Sequence, residues 1–422
     1  MRRYALIFTA VAFGVLVLFA GFNLLVDPFA VSGAPRIAGF NAEKTRLYQD
    51  GGRIYAADAL ARGSATSFIL GSSRTVDGFP AEPENWPGGI VNAGMRGTNM
   101  FELARAMMLA ARDPDLRCLV IGIDLDEFGT HSKSKASFAI SALADGNRPL
   151  SLLRTALSPN TFAASVLTVA DNLAGNGPDT PWADQYEPGV QRGRYESGAR
   201  GIYSYYLGYH YDGEREWYFN SALSSLTRNG VQVVAFIHPY HAWREEALFR
   251  AGREDAYFAL RRDLADLFAT QNDRQAANPC IDGGAAVLWD FSGFQGFATR
   301  PAPSSDATDP HETFYEPSHY LPDIGQAMLD RMRGEPGSET LFGEPFGLRL
   351  TRETARESEA DIRARREAWL QTPDGQAATA FLDQVIAGDP APESPPPQFL
   401  NRDDWNALER RAERLPDRGE AG

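Results

Sequence analysis

The sequence predicts an α/β fold: a three-layer α/β/α domain on a five-stranded parallel sheet of order 2-1-3-4-5, carried behind an N-terminal transmembrane helix. Three observations lead there. Residues 4–26 form one long apolar run. Five later short runs are rich in β-branched and aromatic side chains and nearly continuously apolar, as strands buried on both faces must be. Helical patterns alternate with those runs, which is what parallel strands joined by crossover helices require.

Taken in order, Met1-Arg2-Arg3 is followed by apolar sequence from Tyr4 to Val26, with Asn23 its only strongly polar side chain. As a helix this run spans roughly 35 Å and crosses a bilayer with some tilt. It exceeds the apolar core of about 7 to 15 residues found in cleaved signal peptides. The nearest small-residue site, Ser32-Gly33-Ala34, runs into Pro35. Arg2 and Arg3 favour a cytoplasmic N-terminus. The expectation is a single-pass anchor in a bacterial inner membrane, with the lipid bilayer as partner of residues 4–26 and the main domain periplasmic. A membrane-proximal linker is expected over 27–66, the α/β domain over 67–334 and a charged, partly helical extension over 335–422. The net charge of -14 argues against nucleic acid or an anionic membrane surface as the main partner. Two cysteines form no disulfide framework. Cys118, in the run Cys118-Leu-Val-Ile-Gly-Ile123, reads most simply as a buried strand residue, and its pairing with Cys280 stays open.

The five strand runs are 67–70, 89–92, 118–124, 231–237 and 285–290. Right-handed crossovers leave few ways to arrange them. A helix is expected from Met100 to Arg112, opened by Asn99 with Glu102 three residues on and closed by Asp113-Pro114. Another runs from Arg215 to Arg228 before Asn229-Gly230. The stretch 129–211 breaks the alternation and reads as an insertion capping one end of the sheet, with a helical segment near 150–173. Beyond Gly334 come a charged helix around 353–370, whose run 363–367 reads as a solvated face, an extended proline-rich linker over 390–397 and a last amphipathic helix over 402–415.

Chemistry concentrates at strand ends, where ligands sit in such sheets. Gly71-Ser72-Ser73-Arg74 follows the first strand at a sharp turn into a helix whose unpaired N–H groups favour an anion. A serine there can act as a nucleophile if a base, usually a histidine oriented by a carboxylate, reaches it. Glu316-Pro-Ser-His319, after the fifth strand, offers both on one loop.

With these residues the chain resembles the SGNH/GDSL hydrolase superfamily over about residues 67–332. The resemblance makes Ser73 the nucleophile of a Gly71-Ser72-Ser73 block, with Ser72 in the place of the family's aspartate. It implies an oxyanion hole from the N–H groups of Ser73 and Gly97, with Gly94 as the alternative glycine of Asn92-Ala-Gly94-Met-Arg-Gly97. Its D-x-x-H block corresponds to Glu316-x-x-His319. The family's G-x-N-D block corresponds to Gly122-Ile123-Asp124-Leu125, where an aspartate replaces the asparagine that would bind the oxyanion. A carboxylate there repels a developing oxyanion unless it is protonated or turned away. Together with the anchor, the pattern resembles exported proteins that accompany membrane-bound O-acyltransferases in alginate O-acetylation and teichoic acid D-alanylation. The resemblance implies an esterase or O-acyltransferase acting on an acylated envelope glycan, with an acetyl group as the expected acyl, no cofactor, and a membrane-bound O-acyltransferase as a possible partner. The alternative is a non-catalytic glycan-binding or acyltransferase-docking protein.

Arg74 and Arg96 adjoin the blocks and are candidates to neutralise Asp124 or contact an anionic substrate. Asn92 and His238 are further substrate-binding candidates. His238-Pro-Tyr-His241 has the spacing of two metal ligands, yet no third ligand stands at a recognisable distance, so no metal is expected.

Overall fold

The computed structural model describes residues 2–49, 51–80, 83–130, 134–177, 189–272 and 274–388. These fall into two compact units, one holding residues 2–64 and 134–177, the other 65–130 and 189–388. The sequence-predicted linker over 390–397 and helix over 402–415 lie outside the described residues.

In the second unit the five expected strands form as β1 (Ser67–Leu70), β2 (Val91–Asn92), β3 (Cys118–Ile123), β4 (Gln232–Ile237) and β5 (Ala286–Asp290). β1 pairs in parallel with both β2 and β3, β3 with β4, and β4 with β5. Every residue of β1, β3, β4 and β5 is buried. Successive side chains point to opposite faces, so both faces of the sheet are covered. The sheet is nevertheless mixed and six-stranded rather than five-stranded and parallel: Leu348–Arg349 joins β5 in antiparallel register. Two residues of strand carry too little periodicity to be read in sequence, and they close an edge that β5 would otherwise present to solvent.

The helices follow their sequence signals. Met100–Ala110 is capped by Asn99, whose Oδ1 accepts the Glu102 N–H at 2.9 Å. Gly213–Arg228 packs against it. The charged segment forms Arg352–Leu370, but its charges do more than meet water. Arg366 donates to Glu246, which is fully buried, at 2.7 Å, and Arg363 donates to Glu254 at 2.7 Å. The helix is therefore fastened onto its neighbours through Arg363 and Arg366, while Arg363, Ala364 and Glu367 remain exposed, as a solvated face requires. Cys118 and Cys280 are joined in a disulfide, so the simpler expectation of an unpaired strand cysteine does not hold.

The segment 129–211, read as one cap, divides between the units. Helices Arg148–Ala156 and Pro159–Ala174, separated at Ser158-Pro159, belong to the first unit, whereas Val190–Leu207 belongs to the unit with the sheet. In the first unit the apolar run forms the helix Arg2–Val26, long and apolar enough to cross a membrane. Its last carbonyls are taken up locally: Leu24 O by the Ser32 hydroxyl at 2.7 Å, Leu25 O by Asn41 Nδ2 at 3.0 Å and Val26 O by Lys44 Nζ at 3.0 Å. Residues 27–66, expected as a linker, thus cap the helix and go on to form the helix Gly52–Arg62.

Candidate active site

The site is assembled at the carboxyl end of β1. Gly71 has φ of +153°, and a Cβ there would lie 2.2 Å from Thr75 Oγ1, so the turn into the helix Ser73–Gly78 needs glycine. That turn sets Ser73 at the first position of the helix, partly exposed. The other half comes from a short hairpin in which Phe314–Glu316 pairs with His319–Tyr320. His319 Nε2 stands 2.8 Å from Ser73 Oγ across 246 residues of sequence, and His319 Nδ1 is bonded to Glu316 Oε1. The structure therefore brings Ser73, His319 and Glu316 into one line. Burial pushes the Glu316 carboxyl up, yet the facing His319 outweighs it and holds the group below its usual range. A carboxylate in that position fixes the Nδ1–H tautomer and leaves Nε2 free to accept a proton.

The loop Asn92–Gly97 lies against the turn before Ser73, since Met95 N–H donates to Gly71 O at 2.8 Å. Gly94 N–H is engaged by Asn92 Oδ1 at 3.1 Å. Asn92 Nδ2 donates to Thr75 O and Phe79 O at 2.9 and 3.1 Å. Asn92 is thus buried and holds the loop to the helix. Gly97 has φ of +60° and is exposed. Arg96 does not reach Asp124; it grips Asp77, donating to Oδ2 at 2.7 Å.

Asp124 is turned away from the serine into a buried ionic network. Its Oδ2 accepts from Arg74 at 2.7 Å and from the Ser72 hydroxyl at 2.5 Å, and its Oδ1 accepts from Tyr240 at 2.6 Å. Burial alone would raise this carboxyl; the Arg74 guanidinium, His238 and the two hydroxyl bonds instead hold it well below the usual carboxylate range. Arg74 also reaches Asp126 at 3.0 Å, which Arg244 contacts at 2.9 Å and Tyr206 through its hydroxyl. Both arginines stack on the ring of Tyr240, with Cζ 4.9 and 4.2 Å from its centroid. The network grips the histidine loop as well. Arg74 Nε donates to Ser318 O at 3.1 Å, Arg244 to Ser318 Oγ at 3.3 Å, and His241 N–H to Pro317 O at 3.0 Å. Arg74 is accordingly a buried positioning group rather than a substrate contact.

His238 is buried, 2.9 Å from the Tyr320 hydroxyl and 3.4 Å from Thr75 Oγ1. Burial lowers its pKa to about 4, so it is neutral and packed beneath the site, not lining it. His241 turns elsewhere, 2.7 Å from Arg300 O, and no cluster of three metal-ligating side chains exists among the described residues.

Sequence reasoning missed Asp77, Tyr240, Arg244 and Tyr206. Asp77 Oδ2 is 3.9 Å from His319 Nε2, and burial raises its pKa against the pull of His319 and Arg96. Its spacing of four from Ser73 on one helix was the available signal. Arg244 and the two tyrosines had none, because acid–base partners on different elements leave no spacing in the chain. No protein-family model matches the sequence, and no curated protein matches it.

Proposed function

We propose that the protein is a membrane-anchored serine esterase or O-acyltransferase of SGNH type, acting on an acyl ester of an envelope glycan with Ser73, His319 and Glu316 as its triad. The observation that carries this reading is the 2.8 Å approach of Ser73 Oγ to His319 Nε2, with Glu316 on the opposite ring nitrogen. In this reading Ser73 Oγ attacks the acyl carbonyl while His319 Nε2 takes its proton. The C–O bond to the alcohol then breaks, and His319 returns the proton to the departing oxygen. Water or a sugar hydroxyl next attacks the acyl-serine carbonyl and gives its proton to His319; the acyl–Oγ bond then breaks and His319 returns the proton to Ser73 Oγ. Water makes the reaction hydrolysis, and a sugar hydroxyl makes it transfer. The N–H groups of Ser73 and Gly97 would hold the oxyanion, and the burial of Asp124 against Arg74 keeps its charge from opposing them.

The anchor reading has its own support. Asn23, the polar exception in the apolar run, donates to Ala156 O at 2.9 Å and accepts from Ser165 at 3.1 Å. These bonds tie the end of the helix into its unit, which supports its retention as an anchor. A disulfide fits an oxidising, extracytoplasmic compartment.

The second reading is a non-catalytic glycan-binding or acyltransferase-docking protein, favoured by the carboxylate of Asp124 where a hydrolase would present an amide donor. Losing such a donor costs about 3 kcal/mol of transition-state stabilisation. A fluorophosphonate probe on the full-length protein in detergent separates the two. Labelling at Ser73, abolished in Ser73→Ala and lowered on the order of 10³-fold or more in His319→Ala, is the expected result. A folded wild-type protein that takes no label would sustain the second reading.

A further inference from the structure

The helix Pro159–Ala174 is built inside out. Its inward face carries Thr161, Ser165, Thr168 and Asn172, all buried. From Phe162 onward every exposed side chain of the helix is apolar: Phe162, Val166, Leu167 and Leu173, exposed by 37, 46, 44 and 74 %, with Ala163, Ala170 and Ala174. At 100° per residue these positions sweep an arc of about 140°. A helix at a water boundary shows the opposite polarity. Two of the inward polar groups bond the chain around the apolar helix, Ser165 to Asn23 and Asn172 Oδ1 to Glu43 N–H at 2.9 Å, and the half-buried Asp171 at the edge of the face accepts from Thr45 at 2.8 Å. Phe162 itself stacks on Phe19 at 4.8 Å and tilts against Phe22 at 5.5 Å. Those rings lie four to seven residues before Val26, roughly 6–10 Å short of the end of the Arg2–Val26 helix. Leu153 and Leu157, exposed by 54 and 41 %, extend the apolar surface into the preceding helix and turn.

We propose that this outward face is a second membrane contact, seated in the acyl-chain region of the outer leaflet beside the span. The occupant is the bilayer because the face is continuous with the span through Phe162 and carries no charge that a water-soluble partner would pair. Its depth matches the roughly 5–10 Å to which interfacial helices bury their apolar side. The membrane then holds the first unit by two elements, which fixes its rotation about the span as well as its height.

The inference rests on residues 4–26 spanning a membrane, and one experiment tests the two separately. Full-length protein bearing Ala163→Cys, Val166→Cys, Ala10→Cys or Glu357→Cys is labelled with an environment-sensitive fluorophore. Each is then reconstituted into phosphatidylethanolamine–phosphatidylglycerol vesicles. Labels at 163 and 166 should shift to the blue and lose most of their intensity to nitroxide lipid but not to iodide, as at position 10 and opposite to position 357. Iodide quenching at 163 and 166 with lipid quenching at 10 overturns the inference and leaves the span intact. Protection of 163 and 166 from both quenchers overturns it in favour of a second copy or protein partner on this face. Iodide quenching at position 10 overturns the span, and the inference with it.

Discussion

Asp124 illustrates how a single residue acquires meaning from its partners. Taken as the counterpart of an oxyanion-binding asparagine it is a defect, but in the structure it is one corner of a buried Asp124–Arg74–Asp126–Arg244 quartet that holds the histidine loop. Arg74→Ala leaves the buried Asp124 carboxylate without its cation, while Asp126 keeps Arg244, and urea denaturation should register a loss of about 3–5 kcal/mol. The rate of probe labelling should fall as well, since Ser318 O loses its donor. Asp124→Asn should cost less, because Arg74 keeps Asp126 and the amide oxygen can still accept from Tyr240. His238 makes a pH-dependent contribution. Its pKa falls from an unfolded value near 6.5 to about 4 through burial, so between those values the unfolded chain binds the extra proton. The stability it contributes is present above pH 6.5 and is lost as pH falls toward 4. The advantage of wild type over His238→Asn, followed by denaturation at pH 7.5 and pH 4.5, should therefore shrink by up to about 3 kcal/mol. A pH-independent difference would mean that folding leaves the pKa of His238 unshifted.

At the scale of elements, the helix Ser73–Gly78, which would carry the proposed nucleophile, is only six residues long and owes its placement to neighbours. Asn92 ties its carbonyls to the β2 loop, and the helix Pro322–Arg333 closes on its far end. A Cβ at Gly325 would fall 1.8 Å from Gly78 O and 3.0 Å from the Phe79 ring, backbone and packed core that cannot step aside. Gly325→Ala should consequently lower stability by about 3 kcal/mol, at the upper end for an overpacked interior. It should also slow probe labelling at Ser73 by tilting the helix. Thermal melts paired with labelling kinetics check both, and unchanged labelling in a folded variant would show that the helix is held independently of Pro322–Arg333. Gly198 marks a comparable approach on the other side, where a Cβ would lie 3.0 Å from Glu316 Oε2. The helix Val190–Leu207 thereby covers the carboxylate that orients His319.

Across the whole molecule, the sheet unit is closed by two devices far from the site. The disulfide joins the start of β3 to residue 280 across 162 residues, and the C-terminal segment returns through Leu348–Arg349 to cover the β5 edge. Closing so long a loop restrains the unfolded chain, and reduction, or Cys118→Ser, should cost about 2–5 kcal/mol. The drop in melting temperature with reductant measures it, and a melting curve indifferent to reductant would mean that the pair contributes nothing to stability.

Whatever depends on local periodicity and turn chemistry was legible along the chain. The apolar run, the five strands to within two residues, the Asn99 cap and the glycine turn before Ser73 are all set by side chains within a few positions of one another. Glu316 and His319 were also legible, because a carboxylate and an imidazole three residues apart on one loop can meet unaided. The rest depended on the assembled fold. Whether Asp124 faces the serine or an arginine, whether Arg96 takes Asp124 or Asp77, whether Cys118 pairs, and which side of 159–174 faces out all depend on partners tens to hundreds of residues away. Burial makes an unpaired charge costly and so forces each of these groups to find a partner, but the chain order carries no record of which one. The sixth strand escaped for a related reason, since two residues become a strand only when the edge they pair with is already in place.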